Sequence, residues 1–169
     1  MDADMRKPRI HKIFSLPPRG PGLTDFLGNS KTRLAKIINQ TTVSGLFVIS
    51  SGTQTADPVA LLQTDDMRIL IDQLRAHFDY VIIDTPPILG FADTPLICRH
   101  VDGAVLVVRQ GGVRKDEVNM AVDALGSVGS ARIFGMILNK AHVGAAGKYG
   151  YGYGRYYYRN YKYYYKESS

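Results

Sequence analysis

Four unbroken apolar runs constrain this chain more than any other feature: "GLFVIS" (45–50), "DYVIID" (79–84), "GAVLVVR" (103–109) and "RIFGMILN" (132–139). A strand with one wet face alternates apolar and polar residues. A run that does not alternate predicts a strand covered on both faces, as in a parallel sheet. Helical stripes fall between these runs. Met67, Leu70, Ile71, Leu74 and Phe78 share one face, with Thr64 placed to cap the helix and Asp65 and Asp66 at its positive end. Val118, Ala121, Val122 and Leu125 form a second stripe, closed by Gly126 and Gly129. "DTPLICRH" (93–100) reads as a shorter helix with Pro95 in its first turn. The stretch "LTDFLGNSKTRLAKIINQ" (23–40) reads as helical, interrupted by Gly28. Strands alternating with helices predict right-handed crossovers and a doubly wound α/β domain.

Composition divides the chain in two. Residues 1–143 carry the aliphatic residues and are expected to form the domain. Residues 144–169 hold no aliphatic residue beyond Ala145 and Ala146, and so lack the means to offset ordering entropy; a disordered tail is expected there. That tail gathers ten of the eleven tyrosines: Tyr149, Tyr151, Tyr153, Tyr156, Tyr157, Tyr158, Tyr161, Tyr163, Tyr164 and Tyr165. Lys148, Arg155, Arg159, Lys162 and Lys166 face Glu167 alone, so four of the net six positive charges belong to the tail and the domain is nearly neutral. The single cysteine, Cys98, excludes a disulfide framework, and the four dispersed histidines form no ligand pair at helical spacing. No eighteen-residue apolar run is present, and the charged start "MDADMRKP" does not read as a signal peptide.

Two stretches could carry chemistry. "VIIDTPP" places Asp84 at the C-terminal end of a strand, the edge where open α/β sheets bind ligands. A carboxylate there can hold the water shell of Mg²⁺; it can equally cap a loop. In "MDADMRKP", Asp2, Asp4 and Arg6 alternate and would share a face if extended. Two such carboxylates can coordinate a metal or accept a proton, and Arg6 can hold one of them or a phosphate. An exposed, charged terminus is the plain alternative.

Taken together, the order D-x-D-x-R, "PRIHKIF", "GLTDFLG", the strand ending "DTPP", "VDGAVLVVRQGGVRKDEV", "GMILNK" and the tyrosine cluster resembles the cytoplasmic domain of bacterial tyrosine kinases of capsule and exopolysaccharide export. The resemblance covers essentially the whole chain. It implies a P-loop NTPase-like fold of the deviant-Walker kind, related to the MinD and ParA ATPases: a three-layer parallel sheet, here incomplete at its N-terminus. It implies ATP and Mg²⁺ as cofactors. "MDADMR" resembles the Walker A′ motif, which makes Asp4 the base toward the tyrosine hydroxyl, gives Asp2 a metal or phosphate-side role and sets Arg6 beside them. Asp84 resembles the Walker B carboxylate that binds Mg²⁺, and Asn139 the residue that reads the adenine edge. The tail tyrosines resemble the autophosphorylated cluster.

One part of the family pattern does not occur. The phosphate-cradling run G-x-x-x-x-G-K-[ST] is absent: "GNSKT" (28–32) has Ser30 where glycine is required, and "GKY" (147–149) has Tyr149 in place of Ser or Thr. In the family this loop precedes Walker A′, where the present sequence starts, so an N-terminal truncation, a split gene or a misassigned start is the expectation. The sheet is then expected to keep an unpaired gap with uncovered apolar side chains, and ATP binding and kinase activity by these residues alone to be negligible.

Family members act at the inner face of the bacterial plasma membrane through a membrane copolymerase or activator subunit. The resemblance implies that partner, along with a homo-oligomer or an intact kinase. A non-catalytic partner phosphorylated in trans and a MinD/ParA-like ATPase remnant are the alternatives. A tyrosine- and lysine-rich tail could instead bind RNA, polysaccharide or acidic lipid by stacking and charge, although no specific nucleic acid is expected as a partner.

Overall fold

Backbone hydrogen bonds on both sides seat the first three residues inside a sheet. The Asp2 N–H donates to the Ile49 carbonyl at 2.9 Å, while on the other side Ala3 donates to Asp84 at 2.7 Å and Asp84 donates to Met1 at 2.9 Å. The computed structural model describes residues 1–29, 31–128 and 132–141. Helices α1 (Ile10–Ile13), α2 (Leu23–Leu27) and α3 (Leu34–Ile37) precede strands β1 (Ile38–Gln40) and β2 (Phe47–Ile49). Helices α4 (Pro58–Leu62), α5 (Asp65–His77) and α6 (Asp93–Cys98) follow, then β3 (Gly103–Arg109), α7 (Lys115–Gly126) and β4 (Arg132–Asn139).

The strongest periodic signal gives the organising helix. Met67, Leu70, Ile71 and Leu74 on α5 are all buried. They pack with Leu23, Phe26 and Leu27 of α2, Leu62 of α4 and Ile97 of α6. Ala3 and Met5 join the same core, so the N-terminal segment is held by burial as well as by pairing. Asp65 and Asp66 occupy the first turn of α5, and Arg75 and His77 its last, each the sign its end of the dipole favours. Thr64 stands at the cap position, but its hydroxyl donates back to Leu61 at 2.8 Å and caps nothing. Helix α4 has the side-chain cap: Asp57 accepts from the Ala60 N–H at 3.0 Å, and Pro58 opens the first turn.

β3 and β4 pair in parallel from Gly103 opposite Arg132 to Arg109 opposite Asn139, as the continuous apolar runs predict. A register break between Ala104 and Val105 leaves Phe134 as the extra residue, and Gly135 takes the positive φ of 154° that the bulge needs.

Three expectations differ from the structure. Residues 38–40, read as helical, form β1, which pairs antiparallel with β2; Ile38 and Asn39 are better satisfied by the sheet ladder than by a further helical turn. The run at 79–84 is extended but shows only the single parallel bridge of Asp84 with Asp2, because Met1–Ala3 is a short partner. β4 is exposed along its whole length rather than covered on both faces. Among the described residues it has one strand neighbour, β3, and one packed helix, α7. No described strand joins β3 to residues 82–84; Tyr80 and Ile82 are exposed on one side of that break and Val105 and Val107 on the other. The tyrosine cluster of 149–165 lies outside the described residues.

Candidate functional site

The parallel bridge between Asp2 and Asp84 brings the two sequence candidates together at one strand edge. The segment 1–3 lies between β2 and residues 82–84, so Asp2, Asp4 and Asp84 gather where these strands end. Solvent reaches Asp84. Its carboxyl nevertheless titrates above the usual aspartate range, first because part of it loses water and then because Asp2 and Asp4 repel its charge; the Met1 ammonium opposes them.

The three carboxylates are not equivalent. Asp2 is fully buried. Its Oδ1 accepts from the Asp4 N–H at 3.2 Å, and its Oδ2 from the Arg9 and Ile10 N–H groups at 3.0 and 2.9 Å. These bonds fold the chain back from the strand into α1. Asp4 is half-buried. Its Oδ1 accepts from the Arg6 and Lys7 N–H groups at 3.1 and 2.9 Å, a tight turn that leaves Oδ2 outside its hydrogen bonds.

Arg6 does not turn to Asp2 or Asp4. Its Nε donates to Asp93 Oδ1 at 3.1 Å and its Nη2 to Oδ2 at 3.0 Å. The guanidinium also lies 4.6 Å from the centre of the Phe91 ring. The hydrogen bond to Asp93 raises its already high pKa further. Beside Asp93, the Thr94 hydroxyl donates to the Pro86 carbonyl at 2.7 Å, tying the start of α6 to the loop after Asp84. Sequence reasoning missed Asp93, Thr94 and Phe91. Arg6 and Asp93 are 87 positions apart and share no period that a linear reading could detect.

Asn139 ends β4 on the second sheet, where its carbonyl accepts from Gln110 and its side-chain oxygen accepts from the Lys140 N–H at 2.8 Å. No hydrogen bond among the described residues joins it to the aspartates.

A second loop borders β2. Asp25 accepts from the Gly22 N–H at 2.9 Å and from the Thr53 N–H and hydroxyl at 3.1 and 2.8 Å. Gly22 is required here, since a Cβ would collide with the Ser50 carbonyl and the Gly52 backbone.

A cavity of about 340 Å³ opens beside Met1, walled by Phe14, Phe47, Phe78, Tyr80 and Ile82 among others, with Asp84 the only charged side chain on its lining. Such walls suit apolar chain, not phosphate. Among the described residues no three acidic, histidine or cysteine side chains converge to cage a metal, so a cation at Asp84 would complete its shell from water or phosphate. The repelled charge on Asp84 fits such a cation. The residues present do not fit a triphosphate without help, because the sequence holds no G-x-x-x-x-G-K-[ST] run to cradle its phosphates.

No family model matches the chain. It is similar to tyrosine-protein kinase ptk of Acinetobacter johnsonii, 37% identical over 147 residues that make up 87% of this chain and 20% of that protein. It is similar to tyrosine-protein kinase CpsD of Streptococcus pneumoniae, 35% identical over 158 residues, 92% of this chain and 68% of that one. Among solved structures it matches the kinase domain of the Escherichia coli tyrosine kinase ETK with a TM-score of 0.79 and 36% identity, over 90% of this chain and 58% of that one. The chain spans a fifth of the Acinetobacter protein and about two thirds of the pneumococcal one.

Proposed function

The chain belongs to the bacterial tyrosine kinase family, with that family's P-loop NTPase-like α/β fold, and on that premise we propose that it is the carboxylate-bearing, tyrosine-presenting part of an ATP-dependent autokinase that regulates capsule or exopolysaccharide polymerisation and export. The observation that carries this reading is the Asp2–Asp84 bridge with Asp4 beside it.

In this reading Asp84 holds Mg²⁺ through water. Bound there, the ion would supply charge neutralisation for a transferring phosphate. Asp4, through Oδ2, accepts the proton of a tyrosine hydroxyl. Asp2 contributes negative charge on the metal and phosphate side while its oxygens hold the loop. Arg6 belongs to the same catalytic loop, and Asn139 would read the adenine edge of a bound nucleotide. Tyr149 to Tyr165 are the acceptors. Each phosphate adds about −1.5 to −2 charge, so a few of them reverse the sign of the basic tail. A membrane activator subunit is the partner, and the inner face of the plasma membrane the location. No described helix is long and apolar enough to cross a membrane.

These 169 residues supply the acidic half of such a site and no phosphate cradle. Losing one preorganised donor typically costs about 3 kcal/mol of barrier, and a cradle supplies several. The chain alone is therefore inactive, and its tyrosines are marked in trans by an intact kinase. Incubation with γ-labelled ATP tests this. The expected result is no label on the chain alone and tyrosine label in the tail once an active bacterial tyrosine kinase is added. Label on the chain alone would refute its inactivity; no label in either mixture would refute the acceptor role.

A further inference from the structure

We propose that Asp93 is the positioning residue of this site: buried at the start of α6, it grips Arg6 with both oxygens and so fixes the loop carrying Asp4 against the loop that follows Asp84. The proposal deepens the kinase reading and rests on it for its catalytic meaning. Its geometry stands independently.

The two partners are unequal. The Asp93 side chain is 0% exposed and that of Arg6 34%. Asp93 cannot turn to water, so it acts as the fixed point, and Arg6 is the part that is held. A fork-to-carboxylate pair fixes direction as well as distance. Once the Arg6 side chain is fixed, its own N–H points at Asp4 Oδ1, and the Lys7 N–H follows. The Asp4 carboxylate is thereby held through Oδ1, and Oδ2 takes no part in the turn. Phe91 closes over the guanidinium and limits the alternatives open to it. The adjacent Thr94 hydroxyl holds the Pro86 carbonyl, so two successive residues of one helix start grip both loops of the site. Neither residue touches the reacting atoms; they act through Arg6 and through Pro86.

Amide exchange and Mn²⁺ binding on the full 169-residue chain test this together. In Asp93→Asn, exchange at the Arg6 and Lys7 amides should quicken about tenfold, while the Asp2 and Ala3 amides, held in the sheet, stay protected. Arg6→Lys keeps the charge and loses the fork, and should loosen the same two amides; it decides the question if Asp93→Asn fails to fold. Mn²⁺ affinity, read by electron paramagnetic resonance, should fall about fivefold in both variants. It should be unchanged in Arg75→Lys, which breaks the exposed pair of Arg75 with Asp102. Unaltered exchange at Arg6 and Lys7 overturns the proposal. So does loosened exchange with unaltered Mn²⁺ affinity, because the pair would then be structural only. If the wild-type chain takes up no Mn²⁺, the metal reading of Asp84 fails, and exchange alone decides whether Asp93 fixes the loop.

Discussion

Asp2 and Asp84 stand side by side in a parallel bridge, their backbones joined by the bonds from Ala3 to Asp84 and from Asp84 to Met1. That adjacency sets a pH dependence. The Asp84 carboxyl titrates above its ordinary value in the folded chain. The folded state therefore holds this proton more readily than the unfolded state does. At neutral pH the ionised group works against folding, and acidification through its raised pKa, down to about 3.9, removes that opposition. Asp84→Asn should raise the urea midpoint at pH 7, with the advantage over wild type shrinking as pH falls toward 4. A constant or growing difference would contradict the assignment.

Replacing Asp2 should instead destabilise the fold. Its buried carboxylate satisfies three backbone N–H groups, those of Asp4, Arg9 and Ile10. Asp2→Ala leaves them without an acceptor and should cost about 1–3 kcal/mol, with faster amide exchange at Ile10. Unfolding in urea measures the first effect and exchange the second.

The core makes a separate prediction. Leu70 is 0% exposed and its neighbour Ile69 is 37% exposed. Leu70→Ala should destabilise by about 2–5 kcal/mol, while Ile69→Ala should stay within about 1 kcal/mol. Equal losses would mean that the α5 stripe faces another way.

Gly22→Ala tests the close approach beside β2. The added methyl meets the Ser50 carbonyl and the Gly52 backbone, neither of which can swing aside as a side chain would. A loss of about 1–3 kcal/mol is expected. Gly45→Ala, where a Cβ has open space but the φ of 76° is strained, should cost about 1 kcal/mol.

The sequence was most legible where periodicity and burial agree. α5, α6, α7, β3 and β4 fall where the apolar patterns put them, and Asp2 lies beside Asp84. It was least legible where a partner distant in sequence decides the outcome. Residues 38–40 carry no mark that separates a helix end from a strand; β2 decides it. The Arg6–Asp93 pair was hidden for the same reason, since an aspartate in the first turn of a helix is already explained by the dipole. The apolar run in β4 foretold a strand correctly and its covering wrongly, because a run records what a strand prefers to touch, not what is present to touch it.

That last difference bears on how the molecule behaves in a tube. Phe134, Met136, Ile137 and Leu138 along β4, with Val107 beside them, are each more than half exposed, and together they form an oily flank on a chain whose domain is close to electroneutral. Little charge repulsion keeps two such flanks apart. Light scattering should rise steeply with protein concentration and fall when mild detergent is added, and the colloidal limit on handling this polypeptide should be reached well before its unfolding temperature.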